Sequence, residues 1–271
     1  SIIDIENGKQ PAETTNGILV YNGEIFNYNQ LNKKYFDGKV TGDTALLSKI
    51  CCEKNWSVLS EIDGYFAFVY YEFKTQQFFC GRDLYGEKPL YKACNQNSFS
   101  SSIGAIADPS EINNSNCIKS MMCHEIDEWQ TLMFQQFEEI PPNTLSVYDS
   151  NSNLLSRCGI YKITCQKFSQ KDFIRDLSIA TENRLVADVK IAQSISAGKD
   201  SSLVYLILRK LNSKIKLFTL QNNDHEIDES QQVEKNLTNC DQSFKKIHER
   251  KISFAEKVAI INALEVPSWD L

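Results

Sequence analysis

Three features are missing from this sequence, and each absence argues against a class of protein. The 271 residues contain no run of 18 or more apolar residues, so we predict no membrane span. They contain no basic block, and the formal net charge is −6. The electrostatic attraction that drives nucleic-acid binding is therefore missing, and we expect no nucleic-acid partner. The opening residues SIIDIENGKQP do not form a signal or transit peptide, which leaves a targeting segment upstream of Ser1 open.

Paired cysteine spacing is also missing. The nine cysteines are odd in number and irregularly spaced, and no C-x-x-C pair occurs among them. Disulfide frameworks and zinc sites usually require such pairs. We interpret the cysteines as reduced, mostly buried thiols in a reducing intracellular compartment: the cytoplasm, or an organelle if an upstream targeting segment exists. A metal or redox protein built on these cysteines is a disfavoured alternative.

The first part of the chain has short β-prone segments separated by turn residues, a pattern typical of antiparallel sheet. These segments lie at 17–22, where the run ends at Gly23, and at 64–73, 76–83, 89–94, 98–103 and 138–149. Helical spacing of apolar residues predicts a helix over 43–53, with Asp43 as its N-cap.

The pattern changes after about residue 165. Ser169 and Asp172 predict the start of a helix that runs to Arg184. A strand at 188–195, a small-residue loop at 196–201, a helix at 202–211 and a strand at 216–221 then follow. This order is that of a βαβ unit in a parallel sheet, so we predict a domain boundary near residues 160–168.

The string YNGEIFNY, residues 21–28, allows two interpretations. Asn-Gly after a strand is a common hairpin turn. An Asn side-chain amide beside a free glycine N–H is also a pair of donors suited to an oxyanion, and Glu24 could hold a cationic amino group. The string alone leaves both open.

Five strings follow one another along the chain: SIIDIENGKQP (1–11), NGEIFN (22–27), GDTALL (42–47), IDGYFAFVYYE (62–72) and GRDLYGEKPLY (81–91). In this order they resemble the glutamine amidotransferase half of the glutamine-dependent asparagine synthetase family. Further along, SAGKDSS (196–202) is similar to the pyrophosphate loop of the same family's synthetase half. Small residues between a strand and a helix suit close approach to phosphate oxygens.

The resemblance implies a fold and a domain organisation. We expect an incomplete α+β antiparallel sandwich of the N-terminal nucleophile type in residues 1–160, a glutamine amidotransferase-like domain. Residues 168–271 would begin an α/β, parallel-sheet, ATP-pyrophosphatase-type domain that binds ATP.

The resemblance also implies residue roles. Asn22 and Gly23 would form an oxyanion hole, while Glu24 and Asp43 would bind the α-amino group of glutamine. Arg82 and Asp83 would be structural, with Arg82 buried against a carboxylate such as Asp83 or Glu24. Asp228 and Glu229 would cap or solvate a helix. The ATP-binding residues would be Ser196, Gly198, Lys199, Asp200 as the Mg²⁺ ligand, Ser201, Thr219 and Leu220.

The family's nucleophilic N-terminal cysteine would precede Ser1, and its SGEGxDE segment would follow Leu271. We therefore expect the chain as printed to be inactive. Ala197 stands where the family has glycine, and its effect on phosphate approach stays open.

Two functional hypotheses remain. In one, the residues belong to a working synthetase that uses ATP, Mg²⁺, glutamine and aspartate. In the other, they belong to a degenerate subunit with a structural or regulatory role, whose sheet edges are covered by a protein partner or another copy.

Overall fold

The computed structural model describes residues 8–106, 137–165, 167–211, 215–222, 228–237 and 244–248, together with Ile3, Ser253 and 255–256. The described chain forms two compact units, one up to Thr164 and the other from Cys165. Each unit is described by itself.

The first unit is mostly antiparallel sheet. Its elements are β1 (Ala12–Glu13), β2 (Gly17–Ile25), α1 (Tyr28–Phe36), α2 (Asp43–Glu53), a 3-10 turn (Trp56–Glu61), β3 (Gly64–Glu72), β4 (Gln77–Arg82), β5 (Tyr91–Ala93), β6 (Phe99–Ser100), a second 3-10 turn (Ile103–Ala105), β7 (Phe137–Glu139), β8 (Thr144–Tyr148) and β9 (Leu154–Gly159). One sheet has the order β1-β2-β3-β4-β8-β9 and the other the order β6-β5-β7. All neighbouring strands in both sheets are antiparallel.

Two apolar clusters cover the two faces of the larger sheet. On one face, α2 inserts Leu46, Leu47 and Ile50, each with no exposed surface, against strand residues such as Leu19. Burying such a side chain contributes about 1.5–3 kcal/mol. On the other face, Cys80 and its neighbours pack against residues that flank the smaller sheet. The unit therefore has helix, sheet and sheet layers.

The second unit contains the predicted βαβ arrangement. Its elements are α3 (Gln170–Asn183), β10 (Ala192–Ser194), α4 (Lys199–Lys210), β11 (Lys216–Gln221), α5 (Ser230–Leu237) and β12 (Phe244–His248). The strands lie in the order β10-β11-β12 and are parallel. A small core forms around Ile195, Leu217 and Val233. The predicted fold class, an antiparallel N-terminal nucleophile-type unit followed by parallel-sheet α/β structure, is confirmed.

Several local predictions were wrong. Strand β2 continues through Gly23 to Ile25, and α4 begins at Lys199 instead of residue 202. The N-cap of α2 is Gly42, at φ 81° and ψ 163°, and Asp43 is the first helical residue. The cysteines in the described ranges are less buried than expected: Cys51 and Cys80 are buried and Cys52 is half-buried, but Cys94, Cys158 and Cys165 are exposed.

Every helix in the described ranges is too short or too polar to cross a membrane.

Candidate functional site

The last residues of β2 present alternate backbone N–H groups to the edge that faces away from β3. Tyr21 donates its N–H to Oε1 of Gln10 at 2.6 Å, and Ile25 donates to Oδ2 of Asp43 at 3.3 Å. Gly23 lies between them. Its cross-strand partner Phe66 instead bonds Asp83 through both backbone groups, at 2.9 and 3.1 Å. Among the described residues, none accepts the Gly23 N–H. This donor therefore points to the edge of the strand, between the hydrogen-bonded N–H groups of Tyr21 and Ile25.

Only glycine fits at position 23. Its φ of 149° lies where other residues are strained, and an added β-carbon would lie 2.1 Å from the carbonyl oxygen of Tyr65. The neighbouring Asn22 side chain is exposed, whereas Glu24 is buried at 6% exposure. Side chains alternate along a strand, so Asn22 and Glu24 share one face of β2.

Asp43 lies at the start of α2 and packs beneath the end of β2. It is fully buried, and its Oδ2 accepts a hydrogen bond from the hydroxyl of Tyr21 at 3.0 Å. Its Oδ1 accepts from the N–H of Thr44 at 2.7 Å. Burial raises the pKa of Asp43 above the ordinary aspartate value. Burial, followed by the adjacent charge of Asp43, raises the pKa of Tyr21 well above its usual value.

The predicted residues Asn22, Gly23, Glu24 and Asp43 are thus brought to one end of β2. Tyr21, whose hydroxyl donates a hydrogen bond to the Asp43 carboxylate, was not among the predicted site residues. A tyrosine that occupies an inward position on a strand, two residues before the glycine, was the available signal.

The loop after β4 stabilises the part of β3 that pairs with this end of β2. Asp83 is 2% exposed and accepts the N–H groups of Phe66, Tyr85, Glu87 and Lys88 at 3.0–3.1 Å. Arg82 is 4% exposed, as predicted for a buried guanidinium. Its partners differ from those expected: the carboxylate is Glu139, at 2.6 Å, and the other acceptors are the carbonyls of Gly86, Lys88 and Ile140.

The second candidate site is the loop between β10 and α4. Ser201 Oγ accepts the N–H of Ser196 at 3.1 Å and lies 2.9 Å from Ser196 Oγ. Gly198 donates its N–H to Ser196 Oγ at 3.2 Å and is the N-cap of α4. Hydrogen bonds to the loop's own serine hydroxyls therefore stabilise its conformation.

Ala197 adopts this loop conformation without a positive φ, and its side chain packs against the core of the second unit. The β-carbon that replaces glycine is accommodated in the loop itself. Lys199 and Asp200 are exposed in the first turn of α4. On β11, Thr219 is 3% exposed and Leu220 is 67% exposed, so the two side chains face opposite sides of the sheet.

Mg²⁺ commonly binds one or two carboxylates together with substrate phosphates. The described residues contain no cluster of three or more His, Cys, Asp or Glu side chains that could hold a metal. A single exposed carboxylate at Asp200 fits a metal that arrives with phosphate oxygens, and it does not fit a metal held by protein ligands alone.

Two family models together cover most of the chain. The model described as "Glutamine amidotransferase domain" matches residues 1–158, and the model described as "Asparagine synthase" matches residues 173–260. The chain belongs to the asparagine synthetase family.

Members of the asparagine synthetase family from distant organisms align with it. A putative glutamine-hydrolysing asparagine synthetase 2 of Methanocaldococcus jannaschii is 26% identical over 74% of this chain and 42% of its own length. The glutamine-hydrolysing asparagine synthetase 1 of Bacillus subtilis is 26% identical over 81% and 37%, and the human enzyme is 27% identical over 71% and 36%. The chain thus spans about two fifths of the length of these relatives.

Among solved structures, the allosteric regulatory enzyme of purine biosynthesis aligns with 88% of this chain and 63% of its own. The TM-score is 0.38 and the identity 10%, a likeness too loose to carry an argument.

One contact at the second candidate site comes from a residue outside the SAGKDSS loop. Asp228 accepts the N–H of Ser230 at 3.1 Å and its hydroxyl at 3.0 Å, as predicted for a helix cap. Glu229 instead reaches the loop and accepts the N–H of Ala197 at 2.9 Å. These residues are 32 positions apart, and no local sequence signal indicates such a contact.

Proposed function

We propose that this chain carries the glutamine-recognition and nucleotide-binding elements of a glutamine-hydrolysing asparagine synthetase. In that reaction ATP activates aspartate, and ammonia released from glutamine converts it to asparagine. The glutamine part would occupy residues 1–160 and the nucleotide part residues 168–271. The observation that carries the proposal is the Gly23 N–H, which faces a strand edge between two N–H groups that are already bonded.

Hydrolysis of an amide places negative charge on the carbonyl oxygen. The N–H of Gly23 and the exposed amide of Asn22 are donors suited to that charge, and one such donor contributes about 2.7–4 kcal/mol to the transition state. The Gly23 N–H is fixed before substrate arrives, because the Gly23 backbone packs closely against Tyr65 and its cross-strand partner Phe66 is bonded to Asp83. A donor that is already in position stabilises the transition state most effectively, because no free energy is needed to reorient it.

Glu24 and Asp43 would give the end of β2 a negative potential that suits the α-ammonium group of glutamine. Glu24 is buried and Asp43 is fully buried, so solvent screens their charges weakly. Tyr21 holds the Asp43 carboxylate in place through its hydroxyl.

In the second unit, the N–H groups at the start of α4 would bind phosphate oxygens of ATP. Ser196, Gly198, Lys199 and Ser201 would line the phosphates, and Asp200 would hold Mg²⁺ together with phosphate oxygens. Mg²⁺ would neutralise phosphate charge. The backbone of Thr219 and Leu220 would lie beside the adenine.

The glutamine half of the proposal is tested by calorimetric titration of the full chain with L-glutamine. We expect saturable binding that Glu24→Gln weakens about tenfold, since one buried charged partner is lost. Glu13→Gln, an exposed carboxylate on β1, is the matched control and should leave the affinity unchanged. Absence of glutamine binding by the unmodified chain would overturn this half.

The nucleotide half is tested on the same preparation with Mg²⁺–ATP. Asp200→Asn should weaken binding about tenfold in the presence of Mg²⁺ and much less in its absence. Asp176→Asn, which removes an exposed carboxylate from α3, should change neither value. An equal loss with and without Mg²⁺ would remove the metal-binding role of Asp200.

A further inference from the structure

Glu229 is a carboxylate bound where the loop should receive phosphate. Its Oε2 accepts the N–H of Ala197 at 2.9 Å, although the side chain is exposed and free to be solvated. The backbone of Glu229 is fixed, because its carbonyl accepts the N–H of Val233 in the first turn of α5 at 3.0 Å. The adjacent Asp228 caps the same helix through Ser230. The side chain therefore extends from a rigid helix start to the loop.

The loop and the following helix form an edge that attracts anions. Ser196 and Gly198 bond their N–H groups to hydroxyls within the loop. Residues 199–201 form the first turn of α4, where N–H groups have no intrahelical acceptor, and the helix dipole adds partial positive charge. At Ala197 the acceptor is a carboxylate from another element. Asp200 carries a second carboxylate in the first turn of α4, but Glu229 is the one that a described hydrogen bond brings to the loop backbone.

A carboxylate and a phosphate oxygen seek the same donors and cannot share them. Two negative charges about 4 Å apart repel each other, and solvent at a protein surface screens that repulsion only in part. A phosphate group that takes the Ala197 N–H must therefore displace Glu229, and a phosphate that binds beside it must tolerate the charge.

We propose that Glu229 is an internal competitor for the pyrophosphate loop, which lowers the affinity of the loop for the phosphates of ATP until the carboxylate swings away. This inference rests on the proposed nucleotide function of the same loop. It assigns Glu229 to the regulation of that site, beyond the helix-capping or solvation role that its sequence position indicates. An exposed side chain that needs only a rotamer change to leave is suited to such competition.

The test measures binding of inorganic pyrophosphate and of Mg²⁺–ATP to the full chain by calorimetry. Glu229→Gln keeps the side-chain shape and one acceptor oxygen but removes the charge, and should tighten binding about three- to tenfold. Glu234→Gln is the matched control: it removes the same charge from α5, the helix that begins directly after Glu229, but that carboxylate bonds to Lys246 at 2.6 Å. The control should change the affinity less than twofold. Circular dichroism verifies that each variant is folded.

The outcomes separate the two proposals. If neither the unmodified chain nor Glu229→Gln binds either probe, the nucleotide function fails and the competition fails with it. If both bind with equal affinity, only the competition is overturned. Weaker binding by Glu229→Gln would mean that Glu229 assists phosphate or metal binding, which also overturns the proposed competition.

A second measurement follows the amide resonance of Ala197. Pyrophosphate should shift this resonance in the unmodified chain, and Glu229→Gln alone should shift it before any ligand is added.

Discussion

At the scale of single residues, Gly23 illustrates how a backbone constraint shapes the candidate site. The strand must pass the carbonyl of Tyr65 at a distance that leaves no room for a side chain, at a φ that disfavours any other residue. The same geometry aims the Gly23 N–H at the sheet edge. A single residue thus couples strand pairing to the position of the proposed oxyanion donor.

Gly23→Ala should lower the free energy of unfolding by more than Gly38→Ala. At Gly38 the φ is +73° and nothing lies within 4 Å of an added β-carbon, so that variant reports backbone strain alone, about 1 kcal/mol. At Gly23 the clash with the Tyr65 oxygen adds to the strain, and we expect a loss of about 3 kcal/mol or more. Urea denaturation measures both. Equal losses would mean that the strand yields to the β-carbon and that the position is less constrained than the structure indicates.

Asp43 gives a pH dependence with a defined sign. Burial raises its pKa, so the folded chain holds this proton more tightly than the unfolded chain does. Its contribution to the free energy of unfolding is therefore greatest below the ordinary aspartate pKa of about 3.9 and falls as pH rises towards the raised value. In Asp43→Asn this falling component is absent. The free energy of unfolding of the variant, minus that of the unmodified chain, should increase with pH across that window.

Urea denaturation at a series of pH values measures this difference. Tyr21→Phe serves as the companion variant, because it removes a donor that favours the ionised carboxylate and should extend the window to higher pH. A difference that decreases with pH would contradict the assignment of burial as the dominant cause.

At the scale of secondary structure, segments decided by interactions between near neighbours in the sequence were predicted correctly, and segments decided by distant partners were not. The bounds of α2 and β11 were predicted as observed, since apolar spacing within each segment decides them. Asn-Gly in β2 indicated a turn, yet nine consecutive pairings with β3 carry the strand through it. Nonlocal pairing outweighed local turn preference at this position.

Partners far apart in the sequence could not be predicted at all. The burial of Arg82 was expected from its motif, but its carboxylate partner, Glu139, lies 57 residues away. The contact of Glu229 with Ala197 is of the same kind. The residue types required for a buried guanidinium or a phosphate loop are visible in the sequence, whereas the element that supplies the counter-charge depends on how the units fold.

The N-terminus of α3 offers a test at this scale. Ser169 Oγ accepts the N–H of Asp172, so Ser169→Ala should destabilise α3 by about 0.5–1 kcal/mol, the low end for a lost cap because the bond is 3.4 Å long. Ser178→Ala is the matched control, since its hydroxyl bonds back to the Ile174 carbonyl and such bonds do not favour the helix. Hydrogen exchange of α3 amides should accelerate in Ser169→Ala and not in Ser178→Ala. Faster exchange in the control alone would contradict the cap.

At the scale of the whole molecule, each unit has its own core. One core lies between α2 and the larger antiparallel sheet, and another forms around the parallel strands of the second unit. The described residues of the connection, 162–165 and 167–168, are exposed, including Ile163 at 72% and Phe168 at 81%. The predicted boundary near residues 160–168 stays a prediction, and this exposure makes it accessible to experiment.

Limited trypsin digestion tests that boundary. Cleavage requires local opening, so exposed connecting residues are cut before residues inside paired strands. Lys162 and Lys167 are both exposed, whereas Arg82 is almost fully buried in β4. Among sites in the described residues, we expect the first cuts at Lys162 or Lys167, identified by intact-mass spectrometry of the fragments. A double variant, Lys162→Gln with Lys167→Gln, should slow the appearance of those fragments without changing the unfolding midpoint. Earlier cleavage within the described strands or helices of either unit would mean that this unit opens before the connection does, and the boundary would have to be redrawn.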